Sequence, residues 1–68
     1  MKPFELRLAQ GHIKSSRHLK NLEAFINDAS RFDRIPYEQR TLMLKQVDLL
    51  RQYVKLLEQR LENLGIPV

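Results

Sequence analysis

The sequence predicts an all-α protein: an antiparallel helical hairpin with a long C-terminal amphipathic helix and a short N-terminal arm, oligomerising through a heptad seam. Three observations carry this. Apolar residues make up 43% of the chain with only two glycines and three prolines, which is too rich in core formers for a disordered segment. Leucine, glutamine, lysine, arginine and glutamate dominate the rest, the composition of helices rather than sheets. Most telling is the spacing in the second half, where Met43, Val47, Leu50, Val54, Leu57, Leu61 and Leu64 alternate steps of four and three, the period of a helix buried along one seam.

That seam places the long helix between Pro36 and Leu64. Pro36 suits a first turn because its missing N–H needs no partner there, and Glu38 puts negative charge at the positive end of the helix dipole. Gly65 is a natural left-handed cap and Pro67 blocks continuation. Leu42, Leu49, Tyr53 and Leu56 fall on one flank of the seam, so the apolar stripe is wider than a two-stranded coiled coil requires. The helix is expected to touch at least two neighbours.

One neighbour comes from the same chain. Leu19, Leu22, Ile26 and Ala29 repeat the three-and-four spacing, predicting a shorter helix over about residues 16–29 with Ser15 or Ser16 as its cap. Ser30 to Ile35 is short enough to return the chain antiparallel, and Phe32 and Tyr37 are expected to be buried where it turns. A helix of this length covers only half of the second one. Val47, Leu50, Val54, Leu57, Leu61 and Leu64 are therefore the expected oligomer interface, with a second copy of the chain on the uncovered end. In residues 1–14 the alternation of Phe4, Leu6 and Leu8 with Glu5 and Arg7 predicts an extended arm or short strand, with backward extension of the first helix as the alternative. The domain division expected is thus an arm over 1–14 and a helical hairpin over 15–68.

Size and composition narrow the function classes. A core from 68 residues supplies only about 3–5 kcal/mol unaided, and with no cysteine a disulfide cannot reinforce it, which again points to self-association. Without an oligomer interface two helices cannot enclose a pocket in which a nucleophile, base and orienting group converge, and no enzyme, no cofactor and no metal are expected. His12 and His18 are six apart and point to different sides of a helix, unlike the i, i+4 pair of zinc-binding helices. The charged start of the chain does not read as a signal peptide and no run approaches the roughly 20 apolar residues of a membrane span. A cytoplasmic protein is expected.

Charge is asymmetric. The net charge is +4, and residues 6–22 hold Arg7, Lys14, Arg17 and Lys20 with His12 and His18 and no acidic residue. Lys14, Arg17, His18 and Lys20 form the candidate anion site: they lie at the expected start of the first helix, where free backbone N–H groups also favour anions. Their alternative role is a solvated face that keeps the chain soluble. Arg31, Phe32, Arg34 and Tyr37 in the turn are the candidate protein-binding residues, being of the types that anchor protein contacts. No helix-turn-helix pattern suggests duplex DNA.

The residues Leu22-x-x-Phe25-Ile26, Phe32, Ile35-Pro36-x-Glu38-Gln39, Leu42-Met43-x-x-Gln46, Tyr53, Leu57 and Arg60-Leu61 together resemble small uncharacterised helical-hairpin proteins encoded by bacteriophages and prophages. The resemblance covers about two-thirds of the chain and excludes Lys14 to Lys20. It implies a phage accessory protein in the host cytoplasm that acts by binding, either inhibiting a host macromolecule or sequestering host nucleotide signals. It carries no ligand residues. Two readings stand: a helical surface that inhibits a host protein, and a binder of nucleic acid or a nucleotide second messenger through the basic patch.

Overall fold

Helix begins at the third residue. In the computed structural model, which describes residues 2–68, α1 spans Pro3–Ile26, a single-turn α2 spans Ala29–Phe32, and α3 spans Tyr37–Asn63. The expected arm or strand is corrected: residues 3–14 are the first half of α1. Its start is well provided for, since Pro3 occupies the first turn and Glu5 Oε1 accepts the Lys2 N–H at 2.9 Å, satisfying one donor that a helix start leaves free. Ser15 and Ser16, expected as caps, lie in the middle of α1.

Packing explains why helix wins here. Leu8 is buried against Leu57 and Leu61, with Ala9 and Ile66 completing the cluster. A strand would turn Phe4, Leu6 and Leu8 to one side together. The helix spreads them instead: Leu8 faces α3, while Phe4 and Leu6 stay exposed. Burial of Leu8 stabilises by about 1.5–3 kcal/mol, more than the weak local preference for alternation can offer.

The two long helices run in opposite directions, as the partners show: Leu8 meets Leu57 and Leu61, His12 meets Glu58, and Glu23 meets Arg51. At 1.5 Å per residue α1 is about 36 Å long and α3 about 40 Å, so α1 covers nearly all of α3, and the molecule is a rod of 44 × 16 × 15 Å. The consequence for the seam is direct. Val47, Val54, Leu57 and Leu61 are buried within one chain, Leu50 is half-buried and Leu64 is exposed. Apart from Leu64, the seam residues assigned from the sequence to an oligomer interface are thus covered wholly or in part within one chain, because α1 starts at Pro3 instead of near Ser16.

Both ends of α3 are set by local chemistry. Pro36 sits at the N-cap, one residue before the first helical turn, and Glu38 is acidic in that turn. At the other end Gly65 has φ +75°, and its N–H donates to the Glu62 carbonyl while Ile66 donates to Leu61, each at 2.9 Å. This is the Schellman arrangement, in which the residue after the glycine folds back on the last turn. Ile66 thereby joins the Leu8 cluster.

Core and surface leucines of the same helix should respond differently to truncation. Leu61 is 2% exposed and Leu44 is 52% exposed; Leu61→Ala should cost about 2–5 kcal/mol, enough to unfold most of the population. Leu44→Ala should change stability by about 0.5 kcal/mol or less, and urea titration of the two variants measures the contrast. Gly11 lies inside α1, and no atom comes within 4 Å of the place an added β-carbon would take. Gly11→Ala should therefore raise stability by about 0.5–1 kcal/mol, read as a later urea midpoint.

Candidate functional site

Each long helix has two edges beside the face it buries, and the two edges of the rod differ in chemistry. On one edge His12 Nε2 lies 3.0 Å from Glu58 Oε2, with Ser16 Oγ 3.4 Å from the same nitrogen, and Arg51 donates to Glu23 at 2.8 Å. These pairs bind α1 to α3 along that edge. Glu5, Glu23, Glu58 and Glu62 all lie on it or close to it, by their helical angles relative to Leu8 and Leu57.

The opposite edge is open. Phe4, Arg7 and Gly11 from α1 and Tyr53 and Arg60 from α3 border a shallow groove of about 310 Å³ floored by Leu8 and Leu57. A second hollow continues it along the rod, bordered by His18, Gln46, Leu49 and Tyr53. Lys14 follows Arg7 by seven residues and so belongs to the same edge. Among the described residues, Arg7, Lys14 and Arg60 have no ion-pair partner. Leu42, Leu49, Tyr53 and Leu56 on this side are 55%, 64%, 51% and 52% exposed. Positive charge, aromatic rings and uncovered leucines thus share one edge, and the acidic residues of α1 lie on the other.

The basic patch expected from the sequence is divided by this geometry. Lys14, Arg17 and Lys20 turn gradually across the outward side of α1, so only Lys14 and His18 reach the open edge. Arg17 and Lys20 border a separate hollow with His12, Ile13 and Ser16. The helix-start argument for this patch is corrected as well, because α1 starts at Pro3 and Lys14 lies three turns inside it. Arg7, Tyr53 and Arg60 are not among the candidate site residues that the sequence suggests. A signal for them is present in the seven-residue steps from Arg7 to Lys14 and from Tyr53 to Arg60, but the first has meaning only if α1 reaches back past Arg7.

The turn is used mainly by the chain itself. Phe32 is half-buried, edge-on to Phe25 with ring centres 6.4 Å apart, and Arg31 lies over the Phe25 ring at 5.2 Å while its Nε donates to Asp28 at 2.8 Å. Tyr37, expected to be buried, is 74% exposed, with the Arg40 guanidinium over its ring at 5.8 Å. It stands outside because the one-turn α2 fills the corner with Phe32. Arg34 is exposed. Hydrogen bonds from Ser30 and then from Arg31 hold the Asp28 carboxyl below its ordinary range.

Residues 2–63 match the family model described as Sequestin. The chain belongs to the Sequestin family. No curated protein and no solved structure matches it significantly. The Sequestin match spans α1, the turn and all of α3, so both walls of the open edge fall within it.

Asp28 supplies a check on the turn. A lowered carboxyl pKa contributes stability above the unfolded value that is lost as pH falls through the folded one. Ser30→Ala should move the Asp28 titration upward toward the ordinary carboxylate range, read by NMR of the Asp28 side chain between neutral and acid pH.

Proposed function

We propose that this Sequestin-family protein acts by stoichiometric binding, withholding a phosphate-bearing ligand of the nucleotide class on its open edge. The observation that carries this reading is the placement of two unpaired guanidinium groups, Arg7 and Arg60, beside the rings of Phe4 and Tyr53. A nucleotide combines an anionic group with a flat apolar base. Guanidinium groups bind phosphate oxygens with directed, charge-assisted hydrogen bonds, and aromatic rings accept a base by stacking, worth about 1–3 kcal/mol per base. Gly11 keeps the α1 backbone bare at the border of the groove, which lets a flat group approach closely. The family name supports withholding over turnover.

The setting that suits this activity is the cytoplasm of a bacterial host, with the protein encoded by a phage and removing a host signal. Self-association belongs to the same reading, because the uncovered leucines of α3 call for a cover. Inhibition of a host macromolecule is the second reading; the exposed row Leu42, Leu49 and Leu56 favours it, since an apolar row of that length is what a partner helix needs.

The test is calorimetric titration of the protein with ADP, a cyclic dinucleotide and a single-stranded oligothymidine at low salt. Each charge-assisted hydrogen bond lost costs about 1.5–3 kcal/mol, so Arg7→Gln with Arg60→Gln should weaken binding by about a hundredfold or more. Arg17→Gln with Lys20→Gln should leave it within about twofold, because those residues face outward. Affinity for the oligothymidine should fall more steeply with salt than that for ADP, since a polymer releases counterions. Absence of binding by all three probes would transfer the open edge to the macromolecular reading.

A further inference from the structure

The open edge of α3 has a pattern of its own. Leu42, Gln46, Leu49, Tyr53, Leu56 and Arg60 are separated by steps of four and three, the spacing of a heptad seam. The buried seam of α3, from Met43 through Val47, Leu50, Val54 and Leu57 to Leu61, has the same steps displaced by one residue. One residue is about 100° of rotation at 3.6 residues per turn. Two such seams on one helix are the requirement for a helix at the corner of a four-helix bundle, with one neighbour on each of two sides. α1 fills the first side. We infer that the second side is filled by α3 of a second copy of this chain, packed antiparallel.

Area allows that occupant, the matching seams fit it, and charge orients it. A compact monomer of 8.1 kDa is expected to expose roughly 4,500 Å², whereas this chain exposes 5373 Å². The rod shape, 44 × 16 × 15 Å, accounts for part of that surplus, and the uncovered surface is ample for the approximately 800 Å² that each partner buries in a standard interface. The seam is of equal length on both copies by construction, so its apolar row meets a row that matches it end to end. Orientation is decided by Arg60. Parallel packing would set Arg60 against the partner's Arg60 within the seam, a like-charge contact. Antiparallel packing sets Leu49 against the partner's Tyr53 and Leu56 against the partner's Gln46. It also brings Arg60 over the partner's Leu42, one turn from the partner's Glu38, so that no like charges meet along the seam.

The pairing has a consequence for the ligand reading, which it deepens and on which it rests only for the use of the groove. Tyr53 and Arg60 lie on the seam itself, and Arg7, Lys14 and His18 line its rim. A second copy therefore converts the shallow groove into a cleft with walls from both chains. The charged rim is then present twice across one two-fold axis.

Sedimentation across the micromolar range should give at least twice 8.1 kDa for the wild-type chain. Leu49→Gln with Leu56→Gln should reduce this to the single-chain mass with unchanged helical circular dichroism, because both side chains are exposed within one chain, and Leu44→Gln should leave the larger mass intact. Since the chain has no cysteine, Gln46→Cys and Leu56→Cys chains mixed under oxidation should give the mixed disulfide dimer, with neither variant cross-linking efficiently alone. A wild-type mass of one chain throughout would overturn the inference and leave the seam to a different kind of partner. So would a double-seam variant that keeps the larger mass, or cross-linking by Gln46→Cys alone, which requires parallel packing. These outcomes are independent of nucleotide titration: loss of the ligand reading would leave the measured mass and cross-links unaltered.

Discussion

The contact between Leu8 and the Leu57–Leu61 pair governs both the extent of α1 and the character of the open edge. It holds the first half of α1 on α3, and without it those residues have no reason to be helical beyond their own modest propensity, since isolated helices of this length are marginal in water. Ile66 reaches it only through the left-handed turn at Gly65. The same contact fixes the rotation of both helices. Arg7 precedes Leu8 and Arg60 precedes Leu61, so burying the two leucines rotates both guanidinium groups onto one edge, about 100° from the packed face. The candidate site is in this sense a by-product of the core.

A second constraint is the separation of charge between the two edges. His12–Glu58 and Glu23–Arg51 consume acidic residues on one edge in contacts that join the helices, which leaves the other edge positive without a large net charge overall. Each of these pairs is partly exposed and individually worth little. Their larger effect is positional, because Glu23 or Glu58 beside the groove would weaken the field that, on the proposed reading, attracts a phosphate.

Much of the fold is legible in the sequence, and the reasons differ by element. The long helix is readable because seven apolar positions keep one period and because Pro36, Gly65 and Pro67 mark its ends. The turn falls where its composition places it, yet the sequence assigns its interior to Phe32 and Tyr37 together, whereas α2 leaves room for only one of the two rings. The N-terminal half of α1 misleads because Phe4, Leu6 and Leu8 alternate with Glu5 and Arg7, and three alternating residues fit a strand as well as they fit a helix that buries only the third. That single ambiguity propagates. A short α1 leaves Leu57 and Leu61 without a cover, which transfers the buried seam to an oligomer interface, and it puts beside Lys14 a helix start that is in fact at Pro3. The flank of Leu42, Leu49, Tyr53 and Leu56 is visible in the sequence as surplus width, but its meaning as a separate seam requires knowing that α1 already fills the first one.

A protein that acts by withholding a ligand has no turnover to compensate for weak binding, so its effect depends on affinity and on copy number. Affinity for a small ligand depends on how much of its surface is enclosed, and pockets that bind well cover most of it. Two antiparallel helices provide a floor and two low walls, and among the described residues no loop is long enough to make a lid: the turn between α1 and α3 is ten residues, four of them in α2. A second copy is the enclosure the proposed reading offers. The uncovered seam lies directly beside the groove and shares Tyr53 and Arg60 with it, so one event, the pairing of two α3 helices, would bury the exposed leucines and enclose the ligand together. For a chain of this size that is an economical solution, because a single surface then serves both stability and binding. It also links them: a ligand held in the groove of one copy and touching the α3 of the other would favour the assembled state by mass action, and the assembled state would in turn bind the ligand more tightly.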